Sequence, residues 1–428
     1  MAYFFLPLIL FFQLGATCFA AIDGRGEIAI ETRYFEDDQN TKTMDKSGAI
    51  FSRVDSTLTL ETYPNFEGKF RGFARVDRED EHRNVVKFED FYLGYLFEEP
   101  DITIKLGWHM FNWTATEAFH PADVINSRNL DSNLETPEKF GEMGLTVTKN
   151  FEVASLSFFF FPHYEDPMVP AFSSRFGAGY NIHDARWVEF DGTQSADSWG
   201  IQGGMRFTTT IGDADISLHG LHMMDRHHPL ILLDESANLS PYYFKVNQFG
   251  GTMSYVLFEG MIYKFEGAYK DFTNKQVTGF TLSHPLLAEG IQVVGRSKDH
   301  GQLANGLEKS FLIFNSYDFT LILEHQIYLG INPATRAGLG IFQNDVLLGG
   351  RLAFNDAMGK EMLLLLIADV ERSQEIYFNF KYAQRLTDTW SINGGIRLFH
   401  APKKEATIKG MQLLNDSDHI FATLTRFF

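Results

Sequence analysis

Between Asn112 and Glu138 the chain gathers aromatic, acidic and basic side chains: Trp113, Glu117, His120, Asp123, Arg128, Asp131 and Glu135, with His109 just ahead of them. A few fixed charges beside a narrow aqueous path select what passes by sign and size. A link of this length also carries function more often than a short turn does. His109, Trp113, Glu117, His120, Asp123 and Arg128 are therefore the candidate constriction residues. The plainer reading is a link packed across a mouth for stability.

Other constellations point less sharply. Hydrolysis needs a nucleophile, a base and an orienting group. His109, His120 and His163 are present, yet no spacing picks out a triad, so no catalytic residue is assigned. Arg226-His227-His228 invites a metal reading. Adjacent histidines on a strand point to opposite faces and no third ligand converges, so a solvated loop is expected and no metal. The acidic tips Asp37-Asp38 and Asp77 to Glu81 lack the ligand spacing of a calcium loop. Pro167 to Trp187, with Arg175, Tyr180, His183, Asp184 and Arg186, is the second candidate segment; rich in Gly, Ser and Pro, it reads more readily as a mobile surface loop. No cofactor is implied.

The elements that must hold these residues are strands. Segments of about 10 residues with alternating polarity recur along the chain, as where one strand face meets lipid and the other water. In Phe66 to Asp77 one face reads Phe66, Gly68, Phe70, Gly72, Ala74, Val76, and the other Glu67, Lys69, Arg71, Phe73, Arg75, Asp77. Strands are expected near 25–35, 48–62, 66–77, 85–97, 101–111, 139–149, 152–163, 197–209, 214–224, 243–257, 260–271, 299–314, 317–329, 342–355, 361–371, 374–385, 388–399 and 418–428. Tight links, such as those around Pro64-Asn65, Gly212-Asp213 and Thr387-Asp388, alternate with longer ones. Single-chain bacterial barrels have this asymmetry and an even strand number, here about 18 with 16 as the alternative.

On the inward faces stand Arg25, Arg71, Arg75, Asp345, Arg351, Lys381 and Arg397, together with Glu27, Glu31, Arg33, Lys69 and Lys87. Their signs are mixed, and each reads as solvated lumen lining, because an unpaired charge in a dry core costs several kcal/mol. The inward aromatics Phe73 and Tyr377 would suit a sugar-stacking track.

Composition narrows the rest. The 428 residues hold 42 Phe, 16 Tyr and 36 Gly and carry a net charge of −18, which disfavours nucleic-acid binding. Met1 to Ala20 has an apolar core and small residues at −3 and −1 of its end, the pattern of a secretory leader. Cys18, the sole cysteine, lies inside it. Beyond the leader no run of about 18 apolar residues occurs.

Two stretches carry a resemblance. Phe342-Gln343-Asn344-Asp345, Leu348 to Asp356, Arg385-Leu386, Asp388, Trp390, Arg397, Phe399 and the end Thr425-Arg426-Phe427-Phe428 resemble the closing strands of a family of proteobacterial, porin-like outer-membrane barrels. Gly107-Trp108-His109 and Trp113, followed by Pro121, Asp123, Asn126 and Arg128, look like a strand-to-loop motif of that family and, more loosely, of alginate-export-like barrels. Thr114 stands where a Gly often follows the Trp, and His109 where a Gln is common. The resemblance covers the fifth strand with its loop and the last fifth of the chain; with the strand rhythm it implies a closed antiparallel transmembrane β-barrel of the bacterial outer membrane over residues 21–428. Its partners would be outer-membrane lipid and lipopolysaccharide, the barrel-assembly machinery through Phe428, and small solutes. The expected function is passive diffusion through a lumen narrowed near 112–138. A polysaccharide or hydrophobic-compound channel, or a lipid-modifying enzyme, are the alternatives.

Overall fold

The computed structural model describes residues 20–36, 43–177, 181–183, 185–191, 193–227, 230–233, 238–272, 299–314, 316–372, 374–402 and 410–428. The expected leader, Ala20 excepted, lies outside the described residues, as do Asp37-Asp38, Tyr180, Asp184 and His228.

Alternating polarity leaves each strand with one face for lipid and one for the interior, and only ring closure then satisfies every backbone N–H and C=O. The wall begins with β1 (Ala20–Phe35), β2 (Lys46–Leu60), β3 (Tyr63–Asp77), β4 (Val85–Phe97), β5 (Ile102–His109), β6 (Glu142–Asn150) and β7 (Ala154–His163). Three short strands follow, β8 (Asn181–Ile182), β9 (Arg186–Val188) and β10 (Gln194–Ser195). The wall resumes with β11 (Trp199–Ile211) and β12 (Ala214–Met224). The short β13 (Leu230–Leu233) precedes β14 (Asn238–Val256), whose first residues pair with β8, β9 and β13 as a small sheet continuous with the wall. The wall is completed by β15 (Ile262–Asp271), β16 (His300–Ile313), β17 (Tyr317–Leu329), β18 (Asn344–Ala353), β19 (Glu361–Asp369), β20 (Ile376–Thr387), β21 (Trp390–His400) and β22 (His419–Phe427).

Wall neighbours pair antiparallel, and β1 pairs with both β2 and β22, which closes an 18-stranded barrel. All eighteen expected strands are present, with ends shifted by a few residues. The turn expected at Pro64-Asn65 falls instead at Glu61-Thr62, and both of those residues lie within β3. A register shift between Thr59 and Leu60 absorbs the difference. Eight links of two to seven residues at one end alternate with nine of six to 35 residues at the other. At the short end Gly212 adopts φ 59°, the left-handed geometry that tight hairpins need.

The faces fall as the alternation requires. Ile28, Ile30, Leu93, Leu106, Phe158, Phe160, Leu218 and Leu366 are exposed on the outer wall, whereas Glu27, Arg53, Asp55, Lys69, Arg71 and Glu89 meet inside. Phe428 extends the closing pair: its N–H donates to the Gly26 carbonyl at 3.0 Å and its own carbonyl accepts from Gly26 N–H at 2.8 Å. Its ring occupies the space that a Cβ on Gly26 would fill. Gly26→Val is therefore expected to displace Phe428 and slow ring closure. The check is the rate at which a heat-resistant band appears on refolding into detergent; an unchanged rate would contradict this packing role.

Candidate functional site

The segment Asn112 to Glu138 leaves β5 and immediately turns into the ring. Asn126 fastens its base: its side-chain N–H groups donate to the carbonyls of His109 (3.0 Å) and Phe140 (2.7 Å), and its Oδ1 accepts from Phe111 N–H (2.7 Å). Asp123 accepts from Trp113 N–H at 3.2 Å and pairs with Arg128 and Lys139. From that base the segment reaches wall strands on opposite sides. Asp131 meets Arg33 of β1 at 3.4 Å, and Glu138 takes both terminal nitrogens of Arg75 of β3. Glu135 accepts from Tyr377 (2.8 Å), Asn379 (2.8 Å) and Arg397 (3.1 Å) on β20 and β21. Glu117 meets Arg351 of β18 at 2.6 Å.

Two wall carboxylates bind the middle of the segment through its backbone. Glu266 of β15 accepts from the N–H groups of Ala115 (2.5 Å), Thr116 (3.0 Å) and Ala122 (3.3 Å) and from the Thr116 hydroxyl (2.9 Å). Glu324 of β17 accepts from the N–H groups of Glu117 and Ala118 (3.1 Å for the latter). Both acids are buried, at 0% and 2% exposure, and carboxylates this buried persist where several donors satisfy them. Sequence reading missed this pair. The available signal was a lone inward acid among apolar neighbours, as in Phe265-Glu266-Gly267 and Leu323-Glu324.

Apolar packing completes the crossing. Trp113, Val124 and Ile125 join Phe159, Leu221, Phe244 and Val246 on one side, and Ala118 and Phe119 join Ile322, Leu347, Leu365 and Tyr377 on the other. Trp113 also lies beneath the Arg206 guanidinium, 4.6 Å from its ring centroid, and 5.1 Å from the His219 ring. In the segment itself, burial pushes the Asp131 carboxyl up and outweighs Arg33 and Arg83. Burial raises Glu138 as well, but Arg75 overcomes it and holds that carboxyl below the usual glutamate range.

Of the candidate constriction residues, Glu117, His120 and Arg128 remain partly open, while His109, Trp113 and Asp123 are buried. His109 stacks on Tyr92 and lies 3.2 Å from the Gly144 carbonyl; His120 is 3.5 Å from Glu266; His163 lies edge-on to Trp199. The three histidines thus stand apart.

The wall charges divide into two groups. Arg25, Arg71 and Lys69 hold inward positions at the short-link end, paired with Asp55 and Glu89. Lys381 faces inward with no hydrogen bond or ion pair among the described residues. Arg33, Arg75, Asp345 and Arg397 depart from solvated lining: they are buried, because the segment or neighbouring links cover them. Phe73 is buried between Arg53 and Arg75, and Tyr377 beneath Glu135, so neither presents a free face for sugar stacking.

Two loop expectations are also corrected. Arg175 is buried and donates to the carbonyls of Met44, Asp416 and Glu36, which pins that part of Pro167 to Trp187 against the first and last long links. Arg226 is not solvated either; it pairs with Glu142 at 3.1 Å and donates to the Ile125 carbonyl, fastening the crossing segment from outside.

Among solved structures the chain is similar to Pseudomonas aeruginosa OpdO, at 9% identity over 96% of each chain with a TM-score of 0.53. It is also similar to P. aeruginosa OccK11 (OpdR), at 10% over 96% of each chain and 0.53, and to OccK3 (OpdO), at 11% over 98% of each and 0.50. The barrel has a porin-like fold. At this identity the likeness establishes the fold alone. No protein-family model and no curated protein matches the chain, so the finer resemblance to alginate-export-like barrels rests on the residues quoted for it. In porin-like terms, the residues carried over from that motif, Gly107, Trp113, Pro121, Asp123, Asn126 and Arg128, belong to or adjoin the base of the crossing segment.

Proposed function

We propose that this chain is a passive channel of a bacterial outer membrane, admitting small hydrophilic solutes through a lumen narrowed by the Asn112 to Glu138 segment. The observation that carries this reading is the set of hydrogen bonds tying that segment to inward side chains of β1, β3, β15, β17, β18, β20 and β21. A closed ring with a polar wall offers a water path, and a link fixed across it sets the width of that path. The long links would face outward, where lipopolysaccharide lies, and Phe428 would be the handle offered to the barrel-assembly machinery. Liposome swelling tests the reading. Rates should fall steeply as the sugar grows from pentose to disaccharide; rates equal to protein-free vesicles would overturn it.

The Glu117 to Arg351 pair supports a charge-dependent consequence. Partners facing an aqueous lumen nearly cancel, and removing one exposes the other. Glu117→Gln should shift the reversal potential in a salt gradient toward anion preference, and Arg351→Gln toward cation preference. Shifts of the same sign, or none, would place the pair away from the ion path.

A further inference from the structure

A cavity of about 430 Å³ lies on the long-link side of the crossing segment, between Phe119, His120 and Val124 and the links that carry Leu339 and Leu413. Small-molecule sites have this size and this makeup, mostly apolar with a few convergent polar groups. Two features point to an occupant. Leu130 and Leu413 on its walls are 46% and 41% exposed, and both sit in links rather than on the lipid-facing wall. Apolar side chains held open to water there gain from being covered. The second feature is charge. Each cation at the cavity already faces a carboxylate: Arg128 shares Asp123 with Lys139 and both also feel Glu266, Lys270 pairs with Asp225 at 2.9 Å, and Arg226 pairs with Glu142. The remaining polar groups include the neutral amide of Gln302 and the imidazole of His120.

We propose that this cavity binds a neutral amphipathic small molecule, an apolar ring or chain bearing hydroxyl groups, before it crosses the constriction. The proposal deepens the channel reading by naming a solute class, and its importance for transport rests on that reading. Apolar walls take the ring, the amide and imidazole take the hydroxyls, and the matched cations leave no net charge to draw an anion.

The test is calorimetric titration of the folded, detergent-solubilised barrel with phenyl β-D-glucoside, glucose and benzoate, run beside bilayer conductance. Phenyl glucoside is expected to bind about tenfold or more tightly than glucose or benzoate, from the apolar area its ring buries. The double variant Leu130→Ser/Leu413→Ser should lose about tenfold of that affinity while its band stays heat-resistant. Equal affinities for phenyl glucoside and glucose would overturn the site, and tighter binding of benzoate would overturn its neutrality. Binding is read without conduction. A silent bilayer with the predicted binding order would sink the channel reading and leave the site standing; conduction without that order would do the reverse.

Discussion

Replacing Glu266 with alanine is expected to raise single-channel conductance severalfold and to make it noisy, while the heat-resistant barrel persists. The carboxylate collects three backbone N–H groups and one hydroxyl from the crossing segment. Hydrogen bonds to a charged group contribute roughly 1.5–3 kcal/mol each, and donors left unpaired add a desolvation cost. Losing the set removes the larger of the two carboxylate anchors of the middle of the segment and leaves Glu324 with two N–H groups, so the segment should leave the lumen for part of the time. The barrel does not need this group, since β15 stays in register with β14 and β16 through its backbone. Glu266→Gln should lie between wild type and alanine, because its amide oxygen can still accept from Ala115, Thr116 and the Thr116 hydroxyl while its amide nitrogen would face only the Ala122 N–H, and Glu266→Asp should recover part of the wild-type conductance. Wild-type conductance in all three variants would mean that the segment is held by its apolar contacts alone.

Gly107→Val is expected to abolish barrel assembly, the largest structural effect of any single change considered. Gly107 has φ 137°, a conformation that side-chain-bearing residues rarely adopt, and a Cβ there would overlap the Phe91 carbonyl and stand 2.8 Å from Tyr92 Cα. β4 and β5 pair through these very residues, with Phe91 opposite Trp108 and Tyr92 opposite Gly107. The strain would fall on the strand that launches the crossing segment, so register and loop entry fail together. Loss of the heat-resistant band on refolding is the expected result. A variant that assembles at the wild-type yield would show that the β4 to β5 pair tolerates a Cβ.

The barrel was legible because its signal is repeated. Each strand declares its faces by alternation, and links that alternate between two and many residues give the topology without knowledge of any contact. Glu98 to Asp101 and Gly212-Asp213 mark short-end links in the chain as they do in the fold. Pro64-Asn65 misled because turn-forming residues also occur beside a bulge, where β3 begins. The candidate site was legible only in part. Its length and charge marked the 112–138 segment, yet the partners that hold it are far away in sequence: Glu117 and Arg351 are 234 residues apart, and Glu135 and Arg397 262. A burial prior applied to each wall charge alone takes Arg75 or Arg397 as solvated, because a partner brought by a folded link is invisible to it. Glu266 and Glu324 were missed for the same reason, since their partners are backbone amides that no side-chain pattern announces.

The central claim is that residues 112–138 narrow an open path through the ring, and single-channel recording in a planar bilayer tests it most directly. The mature protein should give stepwise, voltage-independent conductance that rises when the segment is replaced by a short link. A silent bilayer from a heat-resistant barrel, or a conductance unchanged by removal of the segment, would contradict it.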